Sequence, residues 1–281
     1  MLSKINKITI LVGNKCNYKC SHCLFSSNVK DYVDDFSTLI SEINLRDVNK
    51  LLFVGGEPTL YIKEINKILS KIKNLGKKEI IITTNGWFAS DISKTEKTLK
   101  SFIKLNSVQM SYDRFHMEFS TLKKLKTLYN ACLNLKKDFS VILSISNIKD
   151  LIILKKLNDI GSFRVGIQKV YRMGSAFKNQ IYFKETLNKN FILRKCPLIK
   201  NNEIIYIRGK GFSFCCSNLF FSRESLVVYK NINFLMRSEL FNILKKYNFR
   251  EMANKYKINI KYNNVNNECD ICEEIWKNQK L

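Results

Sequence analysis

Cys16, Cys20 and Cys23 place three thiols within eight residues, in the run Cys16-Asn17-Tyr18-Lys19-Cys20-Ser21-His22-Cys23. The spacing Cys-x3-Cys-x2-Cys suits soft metal chemistry. Three thiolates can hold three irons of a cubane [4Fe-4S] cluster. The fourth iron then has no protein ligand and can take a small molecule, which separates a catalytic cluster from an electron-transfer one. A structural zinc site is the plainer alternative, but zinc needs four ligands and usually pairs two Cys-x2-Cys units.

The elements that must position this loop follow from the apolar pattern. Strand-like runs occur at Ile8–Val12, Leu51–Val54, Glu79–Thr83, Ser107–Ser111, Val141–Ser146 and Arg164–Val170, each short, apolar and rich in β-branched residues. Helical patterns fill the gaps. The clearest places Ile62, Ile65, Ile68, Leu69, Ile72 and Leu75 on one face, between Pro58 and Gly76. Others are expected at Ser41–Asn49, Thr95–Leu105 and Asp150–Asp159, and from Leu122 to Cys132 behind a Ser120 N-cap. Cys132 lies on the apolar stripe of its helix and reads as core. Six βα alternations predict an α/β fold with a parallel sheet, either open or curled into a partial (β/α)6 TIM-like barrel. Chemistry in such folds gathers at the C-terminal ends of the strands. Cys16–Cys23, Gly55-Gly56-Glu57-Pro58, Thr84-Asn85-Gly86 and Tyr112-Asp113 all fall there.

At 281 residues and 45% apolar content the chain can bury a large core. No apolar run is long enough to span a bilayer and no secretory h-region opens the sequence, so a cytoplasmic protein without a transmembrane segment is expected. Nine cysteines in a reducing compartment point to metal before disulfides. The net charge of +24 is spread as lysine over every segment with no arginine-rich patch, and no nucleic-acid partner is inferred from it. After about residue 185 the pattern changes: residues 196–281 carry five cysteines, a Phe/Tyr-rich stretch and an amphipathic segment at Ser238–Tyr247. Two domains are expected, 1–185 and 186–281.

The four motifs, in this order at four strand ends, resemble the radical S-adenosylmethionine superfamily over residues 5–185. The resemblance implies that Cys16, Cys20 and Cys23 bind the cluster and that its open iron chelates S-adenosylmethionine, whose reductive cleavage gives a 5′-deoxyadenosyl radical. It assigns Gly55, Gly56 and Glu57 to the methionine amino end. His22, Asn85, Ser111 and Asp113 become candidates for adenine, ribose and other cosubstrate contacts. Cys196-Pro197, Cys215-Cys216 and Cys269-x2-Cys272 resemble a shortened SPASM/twitch module holding an auxiliary [4Fe-4S] cluster, so two clusters are implied.

Four ligands are needed there and five thiols are available. Adjacent cysteines rarely ligate one metal together. If Cys215 joins Cys196, Cys269 and Cys272, then Cys216 is spare; counting forward from Gly211 instead favours Cys216 as the ligand. Together with Ser111-Tyr112-Asp113-Arg114-Phe115-His116 and Phe214-Cys215-Cys216-Ser217, the pattern is similar to radical peptide epimerases of the epipeptide type. That similarity implies a ribosomally made precursor peptide as substrate, a flavodoxin- or ferredoxin-type electron donor, and Cys216 as hydrogen-atom donor. It also implies an acidic residue between the first auxiliary cysteine and the Cys-Cys pair. Glu203 is the only acidic residue between Cys196 and Cys215, although an aspartate would be expected there. Within the same superfamily, a thioether or carbon–carbon crosslinking maturase is the alternative, and an RNA-modifying enzyme stands further off.

Overall fold

The computed structural model describes residues 4–24, 32–184, 192–217, 219–220, 224–259 and 267–276. The chain divides into two compact units. One comprises Ile10–Val33 and Lys50–Phe183; the other comprises Met1–Thr9, Asp34–Asn49 and Lys184–Leu281.

The strands β1 (Lys4–Leu11), β2 (Asp47–Val54), β3 (Glu79–Thr84), β4 (Ser107–Ser111), β5 (Asp138–Ile145) and β6 (Arg164–Lys169) follow in chain order, and in the first unit Lys50–Val54 of β2 lies beside β3, β3 beside β4, β4 beside β5 and β5 beside β6. Strands β2 to β6 pair in parallel, with Leu51 opposite Ile80, Ile82 opposite Val108, and Met110 opposite Val141. Alternate residues point to one face. Leu51 and Phe53, Ile80 and Ile82, Val108 and Met110, and Val141 and Leu143 have no exposed surface. Each such side chain contributes about 1.5–3 kcal/mol of burial. The α/β fold with parallel strands is the one expected for a partial (β/α)6 barrel.

Helices fill the crossovers, with shifted bounds. Helix Ser37–Leu45 starts and ends earlier than the expected Ser41–Asn49, because Leu39, Ile40 and Ile43 form its buried stripe and Val48 is already buried in β2. Helix Ile62–Leu69 stops before Leu75; a separate 3-10 turn spans Leu75–Lys77. The cap before Leu122 is Thr121, whose hydroxyl accepts from the Lys124 amide, while Ser120 is buried. Helix Ile92–Lys100 is capped by Asp91 and so ends short of Leu105. Ile148–Ile152 is a 3-10 segment leading into helix Ile153–Asn158. Cys132 is fully buried, as its stripe position implies.

In the second unit β7 (Glu203–Ile207) and β8 (Gly211–Ser213) form an antiparallel hairpin, with Ile205 opposite Ser213, and β9 (Val228–Tyr229) pairs with β8. Gly211 has φ 123°, and a Cβ there would strike the Tyr229 carbonyl oxygen. Helices Ile232–Arg237, Glu239–Lys246 and Phe249–Lys255 follow, capped by Asn231, Ser238 and Asn248. The segment Glu268–Trp276 is helical, so Cys269 and Cys272 stand at i and i+3, neighbours on one helix surface. Among the described residues no helix is long and apolar enough to cross a membrane.

Candidate functional site

The loop after β1 carries Cys16, Cys20 and Cys23, all in the thiol form and half-buried. Burial raises the Cys16 thiol and pushes Cys20 up to about 12, with further increments from Cys23, Asp113 and Cys16. Such thiols ionise readily only when a cation compensates, as a metal does. The Asn85 amide nitrogen lies 3.8 Å from the Cys16 sulfur and donates to the Asn17 side chain at 3.0 Å. Asn85 therefore ties the end of β3 to the cysteine loop.

Gly55 and Gly56 lie against the same loop. The Gly56 amide donates to the Gly13 carbonyl and the Glu57 amide to the Lys15 carbonyl, both at 2.8 Å. A Cβ on Gly56 would collide with the Lys15 carbonyl oxygen, so glycine permits the close backbone approach.

Glu57 is fully buried. Its carboxylate accepts from the Thr59 amide (3.1 Å), the Thr59 hydroxyl (2.7 Å), the Thr84 hydroxyl (2.7 Å) and the Asn85 amide (2.8 Å). It thereby joins the end of β2 to the end of β3. Burial raises its pKa, and the bonds from Asn85, Thr84 and Thr59 pull it back only in part. Glu57→Ala strands four donors and should destabilise the chain by about 4 kcal/mol, read by denaturant unfolding. The raised carboxyl makes the wild-type contribution full below the ordinary pKa of 4.5 and smaller as pH rises through the folded value. The gap between the two proteins should therefore narrow with rising pH; a gap that widens would contradict this placement.

Asp113, fully buried beyond the end of β4, accepts through Oδ1 from the Phe115 amide (3.0 Å), the His116 amide (3.1 Å) and His116 Nδ1 (2.9 Å). Its Oδ2 has no hydrogen-bond partner and lies 3.6 Å from His22 Nε2. Burial alone would raise the Asp113 carboxyl, but the His116 bond and the two imidazoles bring it below the usual range. The His22 ring stacks on Phe115 at 4.4 Å and meets His116 edge-on at 5.1 Å. Burial lowers His22 to about 4, so it is neutral near pH 7. Its Nδ1 is buried without a partner. Ser111 is half-buried at the end of β4. The two orphaned atoms, Asp113 Oδ2 and His22 Nδ1, on and near the loop of three thiols, fit a ligand that brings polar groups to a cluster on this loop.

The second unit holds the other group of thiols. Burial raises Cys196 to about 11 and Cys269 and Cys272 well above the ordinary 9.0. Cys272 feels Cys215, Cys196 and Cys269; Cys269 feels Cys216, Cys215 and Cys196. The group is thus close enough to interact throughout. Cys216 is the one with an exposed residue surface, whereas Cys196, Cys215 and Cys269 are half-buried and Cys272 is buried. Protein still crowds its sulfur, and burial, with Cys215, Cys196 and Glu203 nearby, pushes the thiol up to about 12. Glu203, at the start of β7, pairs with Lys7 at 2.9 Å.

The site thus brings Cys16, Asn85 and Glu57 into one network and His22 with Asp113 into another. Two contributors escape a reading of the sequence by spacing: Thr59, which holds Glu57, and Lys7, which holds Glu203. Thr84 stands in a motif that the sequence marks out, but its bond to Glu57 emerges only from the fold. His116 stands in a motif that the sequence marks out, but its bond to Asp113 emerges only from the fold.

Residues 10–145 match the model of the Radical SAM superfamily. That stretch carries a radical SAM domain, and domains of this family use S-adenosylmethionine and a [4Fe-4S] cluster. It is 24% identical to YydG of Bacillus subtilis (strain 168), named for peptide biosynthesis, over 96% of this chain and 91% of that one. A GTP 3',8-cyclase of Clostridium botulinum (strain Hall) is 30% identical over 40% of this chain and 38% of its own. Among solved structures, Streptococcus suis SuiB bound to S-adenosylmethionine superposes with a TM-score of 0.52 and 14% identity, covering 87% of this chain and 68% of that one; this likeness is one of fold.

Proposed function

We propose that this enzyme is a peptide epimerase, converting L to D residues in a ribosomally made precursor peptide. Similarity to a peptide biosynthesis protein along almost the whole chain supports a peptide substrate. The observation that carries the epimerase reading is the spare thiol: Cys216 is exposed beside four more sheltered cysteines, Cys196, Cys215, Cys269 and Cys272, that suffice for an auxiliary cluster.

When bound to the Cys16, Cys20 and Cys23 loop, a [4Fe-4S] cluster with S-adenosylmethionine supplies a 5′-deoxyadenosyl radical, which takes the substrate's Cα hydrogen. The chain's own tasks are to hold that loop and to return a hydrogen atom. Asn85 and the Gly56 and Glu57 amides hold the loop, and the Glu57 carboxylate holds Asn85. His22 and Asp113 present unpartnered polar atoms to the cosubstrate. The planar Cα radical has lost its configuration, so the face that receives the hydrogen decides the product. Cys216 gives its S–H hydrogen to the face opposite the one attacked, which demands near-contact geometry. The thiyl left on Cys216 then takes one electron from the external reductant and one proton from solvent. Glu203, within electrostatic reach of Cys216, is placed to influence that proton.

A thiol proton exchanges with water. Turnover in D2O should therefore place one deuterium at the Cα of each inverted residue, seen by mass spectrometry after hydrolysis and chiral separation. A D residue without deuterium would remove Cys216 from the reaction. A product lighter by two hydrogens would indicate crosslinking instead.

A further inference from the structure

The segment Ser213-Phe214-Cys215-Cys216-Ser217 contains two serines that treat its two cysteines unequally. The Ser213 hydroxyl accepts from the Cys215 amide at 3.0 Å and donates to the Cys215 carbonyl at 2.9 Å, which fixes the backbone of Cys215 at both ends. Ser213 has no exposed surface. Ser217, only 3% exposed, turns back on the same residue: its amide lies 3.5 Å and its hydroxyl 3.1 Å from the Cys215 sulfur. The Ser217 carbonyl is itself held by the Phe220 amide at 2.9 Å. Cys216, between them, keeps its surface exposed.

A thiolate sulfur has no hydrogen to give. Once Cys215 is ionised by a metal, both short contacts must run from Ser217 to sulfur, as N–H···S and O–H···S bonds. Such bonds stabilise the electron-rich thiolate, and more so after the metal centre gains an electron, so they raise a reduction potential. The Ser217 hydroxyl also reaches Cys269, so one buried serine serves two candidate ligands.

Resting on the auxiliary-cluster reading above, we propose that Ser217 selects Cys215, and not Cys216, as the cluster thiolate, and holds that cluster's potential up. Cys216 is left off the cluster because the contacts of Ser213 and Ser217 within this segment all go to Cys215. Ser217 is a positioning and tuning residue; it touches the ligand sulfur and no substrate.

The test uses the full-length chain with Cys16, Cys20 and Cys23 all changed to alanine, so that any remaining cluster is the C-terminal one. After anaerobic reconstitution, iron is counted and the midpoint potential is read by EPR-monitored titration. Adding Cys216→Ala should keep the iron, and adding Cys215→Ala should remove it. Ser217→Ala should shift the midpoint to a more negative value, and Ser217→Thr, which keeps the hydroxyl, should restore it. The inference falls if Cys215→Ala keeps the cluster while Cys216→Ala loses it, or if Ser217→Ala retains iron at an unchanged midpoint. If the parent protein binds no iron before any change at Ser217, the auxiliary-cluster reading fails first and takes this inference with it.

Discussion

A Cys216→Ala enzyme is expected to form 5′-deoxyadenosine and to make no D residue. On the proposed function, radical generation uses the Cys16–Cys23 loop and does not call on Cys216. The hydrogen returned to Cα does. Without the thiol the peptide radical can recover a hydrogen only from the face it lost it to, which regenerates the L residue, or decay by unselective quenching. Solvent deuterium should accordingly vanish from Cα of any D product. Cys216→Ser should behave like alanine, because an alcohol O–H bond is too strong to surrender a hydrogen atom to a carbon radical, although serine nearly preserves the shape. Normal epimerisation by either variant would mean that the hydrogen comes from elsewhere.

Cys16→Ala should have a still broader effect. With two thiols left on the loop, the first cluster loses a ligand it cannot replace. Iron in the reconstituted protein should fall from about eight to about four atoms per chain. Formation of 5′-deoxyadenosine should cease with it, and the peptide should be recovered unchanged. Fold stability should change far less than in Glu57→Ala, because Cys16 is half-buried and Glu57 is wholly buried with four donors around it. The two variants thus separate the chemistry of the loop from the packing beneath it. A Cys16→Ala protein that keeps all its iron would place the first cluster elsewhere.

Much of this was legible in the sequence because the chemistry sits where strands end. The β-branched run at 79–84 and the run at 107–111, where apolar Val108 and Met110 alternate with polar residues, both form strands with nearly the expected bounds. Cys16, Glu57, Asn85 and Asp113 follow four such strands, and parallel pairing aligns the ends of β2 to β4. Helix bounds were less legible. The Ser37–Leu45 helix follows its buried stripe without a side-chain cap, and the Thr121 cap depends on which of two adjacent polar residues finds a backbone partner; local pattern decides neither.

The state of each carboxylate was the hardest to read. The family resemblance assigns Glu57 to the methionine amino end. The fold surrounds it with Thr59, Thr84 and the Asn85 amide, contributed in part by another strand. Asp113 shows the opposite case, since one of its oxygens stays buried without a hydrogen-bond partner. The grouping of Asp34–Asn49 with Lys184–Leu281 likewise depends on contacts between residues far apart in the chain.

The most direct measurement is the nucleoside itself. Protein reconstituted with iron and sulfide without oxygen, then given S-adenosylmethionine and a strong reductant, should yield 5′-deoxyadenosine and methionine, and Cys16→Ala treated identically should yield neither. Reconstituted wild-type protein that carries its iron yet leaves S-adenosylmethionine intact would contradict the account at its root.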